Sequence, residues 1–268
     1  MKKRTIYTVI AVIIAVLVYG YEFSLKNQSQ QATVAAGLEI KTATVAFLMP
    51  TSTTGLVVHH TGYSLSYNEA HEQAEWVAYN LKKEHLSKTT FKRPFFEIDK
   101  AVKTGAASWR NYKNSGYNKG HLCPAADRRF SKAAHDETFL TSNITPQLQA
   151  FNAGIWNLLE QKTRYWAHTY HDVFVVTGGI LSADLKTIGP EQVSVPAFFY
   201  KVVFDYNGTK PKIIAFLIPH KQTGKPLESF VVSVDYLEVL TGIDFFPNLD
   251  DDLETALEAS TAYDKWRF

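Results

Sequence analysis

A chain of 268 residues with 46% hydrophobic content can bury a sizeable core, in one large domain or two small ones. Its net charge of +2, with 20% charged residues, excludes a disordered acidic tail and a strongly basic protein, but not a local basic patch for nucleic acid. The single cysteine, Cys123, excludes an intrachain disulfide.

The chain opens on MKKR, followed by a largely apolar run from Ile6 to Gly20. This pattern reads as a signal or a transmembrane anchor over residues 1–25. No clear small-x-small cleavage site comes after it, which favours an uncleaved anchor. Lys2, Lys3 and Arg4 would then stay in the cytoplasm. The expected location is the cell membrane with an extracytoplasmic domain, or a secreted or periplasmic protein if the segment is cleaved. Residues 26–43, including the polar KNQSQQATVAAG, read as a flexible tether.

A folded domain is expected over residues 44–268. GLVVHHTGYSLSYN gives two extended pieces around a Thr61-Gly62 turn. NEAHEQAEWVAYNLKKEHL is expected to be a helix capped by Asn68, because Ala70, Ala74, Val77, Ala78 and Leu81 recur at spacings of 3 and 4. KTTFKRPFFEID is extended, and Pro94 argues against a central strand. DETFLTSNITPQ reads as a strand that leaves for a loop at Pro146. A longer helix runs from Phe151 to about Tyr170. HDVFVVTGGI, AFFYKVVFDYNG and Lys212 to Pro219 are strands, and ESFVVSVDYLEVLTGIDFF has strand-then-turn character. Asp250 to Asp252 reads as a solvated helix start. These elements predict one α+β domain with a central sheet.

Two clusters can carry chemistry. In SGYNKGHLCPAAD, Gly120 permits close backbone approach and Pro124 stiffens the chain after His121. A neutral imidazole can take a proton from water, although a lone loop histidine more often serves only as a hydrogen-bond partner. Lys119 can meet an anion or face solvent, and Asp127 can orient a partner or cap a short helix. In TSNITPQLQAFNAGIWNLLEQKTR, the amides of Asn143 and Asn152 can ligate a hard cation or bind backbone, and Asn152 can equally cap the helix. Glu160 and Arg164, four apart, form either a surface ion pair or a metal-side carboxylate and a phosphate contact. Eight helical residues rise about 12 Å and turn about 80°, so Asn152 and Glu160 cannot easily share one ion on a straight helix. Either Glu160 acts through water, or the helix bends or begins later.

GYNKGHLCPAAD, TSNITPQ, FNAGIWNLLE and Arg164 together resemble the DNA/RNA non-specific endonuclease family. The resemblance extends from about Leu56 to Leu249, through GYSLSYN, EWVAYNL, RPFFEID, VVTGGI and LTGIDFFPNL. It implies a ββα-metal core on a central antiparallel sheet. It also implies hydrolysis of DNA and RNA with one Mg²⁺, or Mn²⁺, giving 5′-phosphate ends. By the same resemblance, His121 is the general base and Asn152 holds the ion. Glu160 helps hold the ion's water shell and Asn143 orders the site. Arg164, Arg93 and Lys119 face phosphate. Asn118-Lys119-Gly120-His121 departs from the family's DRGH, losing a carboxylate and a planar fork. That departure leaves open a weakened or non-catalytic nucleic-acid-binding module. A phosphoesterase for small molecules is a further alternative. A membrane contact through the N-terminal segment and a homodimer through the C-terminal region complete the expected partners.

Overall fold

The computed structural model describes residues 20–24, 26, 45–206 and 210–268. The chain is α+β. Its strands are β1 (Val57–His59), β2 (Ser64–Asn68), β3 (Gln73–Lys82), β4 (Asn118–His121) and β5 (Ile144–Gln147). β6 (Asp172–Gly179), β7 (Thr187–Ile188), β8 (Val193–Ser194), β9 (Phe198–Asp205), β10 (Lys212–Pro219) and β11 (Val231–Val232) come after them. Seven of them form a central sheet in the order β1-β2-β3-β6-β9-β10-β11, with every neighbouring pair antiparallel. β4 pairs only with β5, and β7 only with β8.

Side chains alternate across this sheet because strand periodicity is two. Val77 and Tyr79 of β3, Val175 of β6 and Val203 of β9 pack on one face, with Leu159 and Trp166 of the helix Asn157–Tyr170. Trp76, Val176, Tyr200, Val202 and Phe204 pack on the other. There they meet Leu237 of the helix Val234–Thr241 and Leu257 of the helix Asp251–Glu258. Both faces are covered, so the sheet's middle strands are nearly uniformly buried.

That double burial explains the largest correction to the sequence reading. The stretch expected as a helix is β3, and Asn68 ends β2 opposite Gln73 rather than capping anything. The apolar spacing of 3 and 4 also fits a strand covered on both sides, and periodicity alone does not separate the two. Trp76 and Tyr79 lie off the helical stripe but are as buried as the residues on it. A second correction concerns Pro146, which lies inside β5 opposite Lys119 instead of starting a loop. A two-stranded ladder has free edges, where a proline's missing N–H costs no bond. A helix Lys132–Glu137 and a short 3₁₀ turn Thr141–Asn143 precede that strand. A third correction lies near the C-terminus. There a 3₁₀ turn and the two-residue β11 lead into the helix Val234–Thr241, where strand-then-turn was expected. The Ser233 hydroxyl accepts a hydrogen bond from the Tyr236 N–H, and Gly242 ends the helix at φ +70°.

The membrane assignment does not stand. Among the described residues no helix is long and apolar enough to cross a membrane. A span needs about 20 consecutive apolar helical residues, so neither the transmembrane reading nor the cell-membrane location is retained. Most of the predicted anchor and nearly all of the tether lie outside the described residues.

Candidate active site

Two short strands and a bent helix build the site. β4 and β5 pair with Asn118 opposite Gln147 and His121 opposite Ile144. Strand alternation sends Lys119 and His121 to the same side. Both reach the ring of Phe96: the His121 ring centre lies 5.5 Å from it and the Lys119 Nζ 5.4 Å. Exposed Arg93 stands over the same ring at 5.5 Å, and over Phe139 at 5.4 Å. Phe139 in turn meets His121 edge-on at 4.9 Å. The aromatic pair therefore gathers one imidazole and two cations. On the opposite side of β4, Gly120 lies against Gln147. A Cβ at position 120 would fall 2.2 Å from the Gln147 Oε1, so this position requires glycine.

His121 Nε2 is closed off from solvent and, among the described residues, has no hydrogen-bond partner. Burial, with Arg93 and His135 adding to it, lowers the His121 pKa to about 3. The ring is therefore held neutral. The chain after it is clamped by Asn143, which is completely buried. Asn143 Oδ1 accepts from the Cys123 N–H at 2.8 Å, and its Nδ2 donates to the Cys123 and Thr138 carbonyls. The Asn143 amide is thus engaged with backbone. Cys123 is buried, and burial pushes its thiol up to about 12, so it remains a packed, neutral thiol.

The helix after β5 is not straight. The Asn157 N–H donates to the Asn152 carbonyl five residues back, and Gly154 departs from helical dihedrals at φ −95°, ψ −115°. Asn152 itself is helical, at φ −60° and ψ −49°, and is not the N-cap of the helix that continues through it. A π turn absorbs one residue and Gly154 kinks the axis, so Asn152 and Glu160 do not stand on one straight helix. Among the described residues neither side chain has a protein hydrogen-bond partner. Their donors are an amide oxygen and a carboxylate, a hard-oxygen set that fits Mg²⁺ or Mn²⁺.

Glu160 sits in a charged network under the sheet. Burial raises its pKa to about 7, with Lys201 opposing, Asp127 adding and Arg164 opposing. Arg164 pairs with Asp127, not with Glu160, through Nη1 to Oδ1 at 2.8 Å. The second Asp127 oxygen accepts from the Tyr79 hydroxyl at 3.0 Å. Lys201 is fully buried in the middle of β9, with its Nζ 4.9 Å from the Trp156 ring centre and no hydrogen-bond partner. Burial lowers its pKa, and Glu160 and Asp127 resist that shift. Sequence reading missed Lys201, although a single charge inside the apolar strand FFYKVVF was the available signal. It also missed His220, whose Nδ1 donates to the Pro196 carbonyl while Nε2 accepts from the Leu148 N–H. His220 thereby fixes the start of the bent helix. The Asn118 amide donates to Gln149 Oε1 at the same helix start, a bond that an ionised Asp could not donate.

The structure thus brings His121, Arg93 and Lys119 together at the paired strands, and Glu160 and Arg164 into the network that Asp127 joins. An acidic cluster of Asp235, Glu238 and Glu258 contains none of these residues and belongs to the helices on the other face.

Residues 41–252 match the family model described as DNA/RNA non-specific endonuclease. Mitochondrial nuclease EXOG of Mus musculus is 33% identical over 209 residues, covering 71% of this chain and 57% of its own length. Mitochondrial endonuclease G of Homo sapiens is 33% identical over 202 residues, covering 70% of this chain and 68% of its own. The crystal structure of the EndoG/EndoGI complex superposes with a TM-score of 0.70 at 28% identity, covering 77% of this chain and 91% of that one. This chain therefore spans a little over half the length of the EXOG relative. With the family model covering most of the described residues, the chain belongs to the DNA/RNA non-specific endonuclease family, a family of hydrolytic enzymes.

Proposed function

We propose that this protein hydrolyses phosphodiester bonds of DNA and RNA, with little sequence preference and with a divalent cation. The carrying observation is the convergence of a neutral, unpartnered imidazole and two cations on one aromatic pair. Arg93 and Lys119 attract the phosphate. The arriving anion offsets Arg93, one of the influences that depress His121. The imidazole thereby becomes a stronger base as the substrate binds. His121 then takes a proton from the water that attacks phosphorus. Asn152 would hold Mg²⁺, with Mn²⁺ as the alternative, through its amide oxygen, and Glu160 would order the ion's hydration shell. Such an ion, when bound, neutralises charge on the phosphoryl and leaving oxygens. Arg164 leaves 21% of its side chain exposed beyond its bond to Asp127, so the rest of its guanidinium fork can reach phosphate. Asn143 holds the catalytic loop in register. Contacts of this kind read phosphate rather than base, which accounts for weak sequence preference and predicts affinity that falls with salt. The expected products carry 5′-phosphates.

The test is cleavage of plasmid DNA and single-stranded RNA by the purified protein in Mg²⁺, Mn²⁺ or EDTA. Cleavage is expected only with metal. His121→Ala and Asn152→Ala are each expected to lower it by about 100-fold to 10,000-fold. Equal cleavage in EDTA, or an undiminished His121→Ala protein, would overturn this reading.

A further inference from the structure

The helices on the far face of the sheet carry a feature that nuclease chemistry does not use. Asp235 and Glu238 lie three apart on the helix Val234–Thr241, hence on one side of it. Glu258 ends the helix Asp251–Glu258. One carboxylate oxygen from each lies within 4.8 Å of the other two. Glu258 is only 5% exposed, and its Oε1 has no hydrogen-bond partner. Among the described residues, none of the three forms an ion pair with a basic side chain. The strongest charged neighbours of Glu258 are all acids: Glu238, Glu254, Asp244 and Asp235. Glu238 Oε1 already accepts from the Phe245 N–H at 2.9 Å, which holds that carboxylate in place. A buried carboxyl oxygen without a partner, set against two further carboxylate oxygens, is a ready donor for a cation.

We propose that Asp235, Glu238 and Glu258 form a Ca²⁺ site that clips the two helices together, on the opposite side of the sheet from the candidate active site. Three carboxylate oxygens this close can all touch one hard cation, and Ca²⁺ takes such oxygens in flexible geometry where Mg²⁺ demands a near-ideal octahedron. Ca²⁺ accepts irregular coordination completed by water, and exposed Asp235 leaves the site open to water on one side. The three carboxylates supply the charge, and the ion relieves their mutual repulsion. Leu237 and Leu257 bring the same two helices into one apolar cluster, so the ion reinforces an existing junction.

Calorimetric titration with CaCl₂ tests this at pH 7.5, using the full chain with Asn152→Ala so that the candidate catalytic ion does not contribute. One Ca²⁺ site is expected, with Ca²⁺ binding more tightly than Mg²⁺, and with a rise in melting temperature on Ca²⁺ addition. Adding Glu258→Gln or Glu238→Gln is expected to weaken Ca²⁺ binding at least tenfold and to abolish that rise. Glu258→Gln should melt no lower than its parent without Ca²⁺, because it removes repulsion while keeping the shape. In the otherwise wild-type protein, Glu258→Gln should leave Mg²⁺-supported cleavage unchanged. Absence of Ca²⁺ binding, tighter Mg²⁺ binding, or unaltered Ca²⁺ affinity in both Gln variants would each overturn the proposal. The decisive readouts do not use cleavage, so the site stands or falls separately from the nuclease reading.

Discussion

The two faces of the central sheet are built on different physical terms. The far face is mainly an apolar packing of Trp76, Val176, Val202 and Phe204 against two capped helices, with buried Glu258 as an exception at its edge. The near face buries charge: Lys201, Asp127 and Arg128 are all at most 1% exposed, beside the half-buried Glu160. His121 Nε2, Gln147 Oε1 and Nε2, Trp156 Nε1 and Lys201 Nζ are buried there without partners. Unmet hydrogen bonds of this kind each cost on the order of 1–3 kcal/mol. They are tolerated because apolar clusters on both faces of the sheet supply the packing that holds them.

Three experiments break or sharpen that contrast. The largest effect is expected from Phe204→Ala, which removes a fully buried ring from the far face. It should cost about 3–5 kcal/mol in denaturant unfolding, while the folded fraction keeps its specific activity. A comparable loss of specific activity at full folding would mean that the two faces are not separable.

Next comes Lys201→Met on the near face. Lys201 opposes the upward shift of Glu160, so its removal should push Glu160 above its value of about 7. An acid with a raised pKa is charged only at higher pH. Cleavage should therefore fall by roughly tenfold at pH 7, about 1.4 kcal/mol, and recover as the pH is raised. A uniform loss at every pH would assign Lys201 a purely structural part.

The smallest effect concerns acid stability. The His121 pKa lies near 3 in the folded protein, against 6.5 for an ordinary histidine. Between those values the unfolded chain binds a proton that the native protein refuses, so stability falls as pH drops from about 6.5 toward about 3. Replacing His121 by Gln removes this contribution. The melting temperature of the variant, measured without metal, should decline less over the first pH unit of that window, by roughly a few degrees. An identical decline would mean that the imidazole is not held neutral by burial.

Much of the fold was legible locally. The alternation of β1 and β2, the continuous apolar runs of β6, β9 and β10, and the acidic start of the helix Asp251–Glu258 follow from periodicity and capping. β3 was not legible, because a strand's identity as doubly covered depends on the helices that cover it. Nor was the helix Val234–Thr241, whose Ser233 cap and Gly242 stop were present in the sequence but masked by the β-branched residues before them. The candidate site divides in the same way. His121 directly after Gly120 and the two asparagines stand out as residue types in a motif. Lys201 and His220 lie 49 and 68 residues beyond Asn152 and carry no motif at all.

The sequence by itself determined which chemistry was on offer: an imidazole beside a glycine, two amides, a helix carboxylate and several cations. Spacing along a chain fixes what neighbours on one strand or helix share, which is why Glu160 and Arg164, four apart, could be expected on one helix face. Only the tertiary structure decided how these groups were to be charged and aimed. The pairing of Arg164 with Asp127 instead of Glu160 and the burial of Lys201 beneath Trp156 depend on contacts between distant segments, and the kink at Gly154 breaks the straight helix between Asn152 and Glu160. A side chain's protonation and direction are set by its surroundings in space, and those surroundings form only when the sheet closes against its helices.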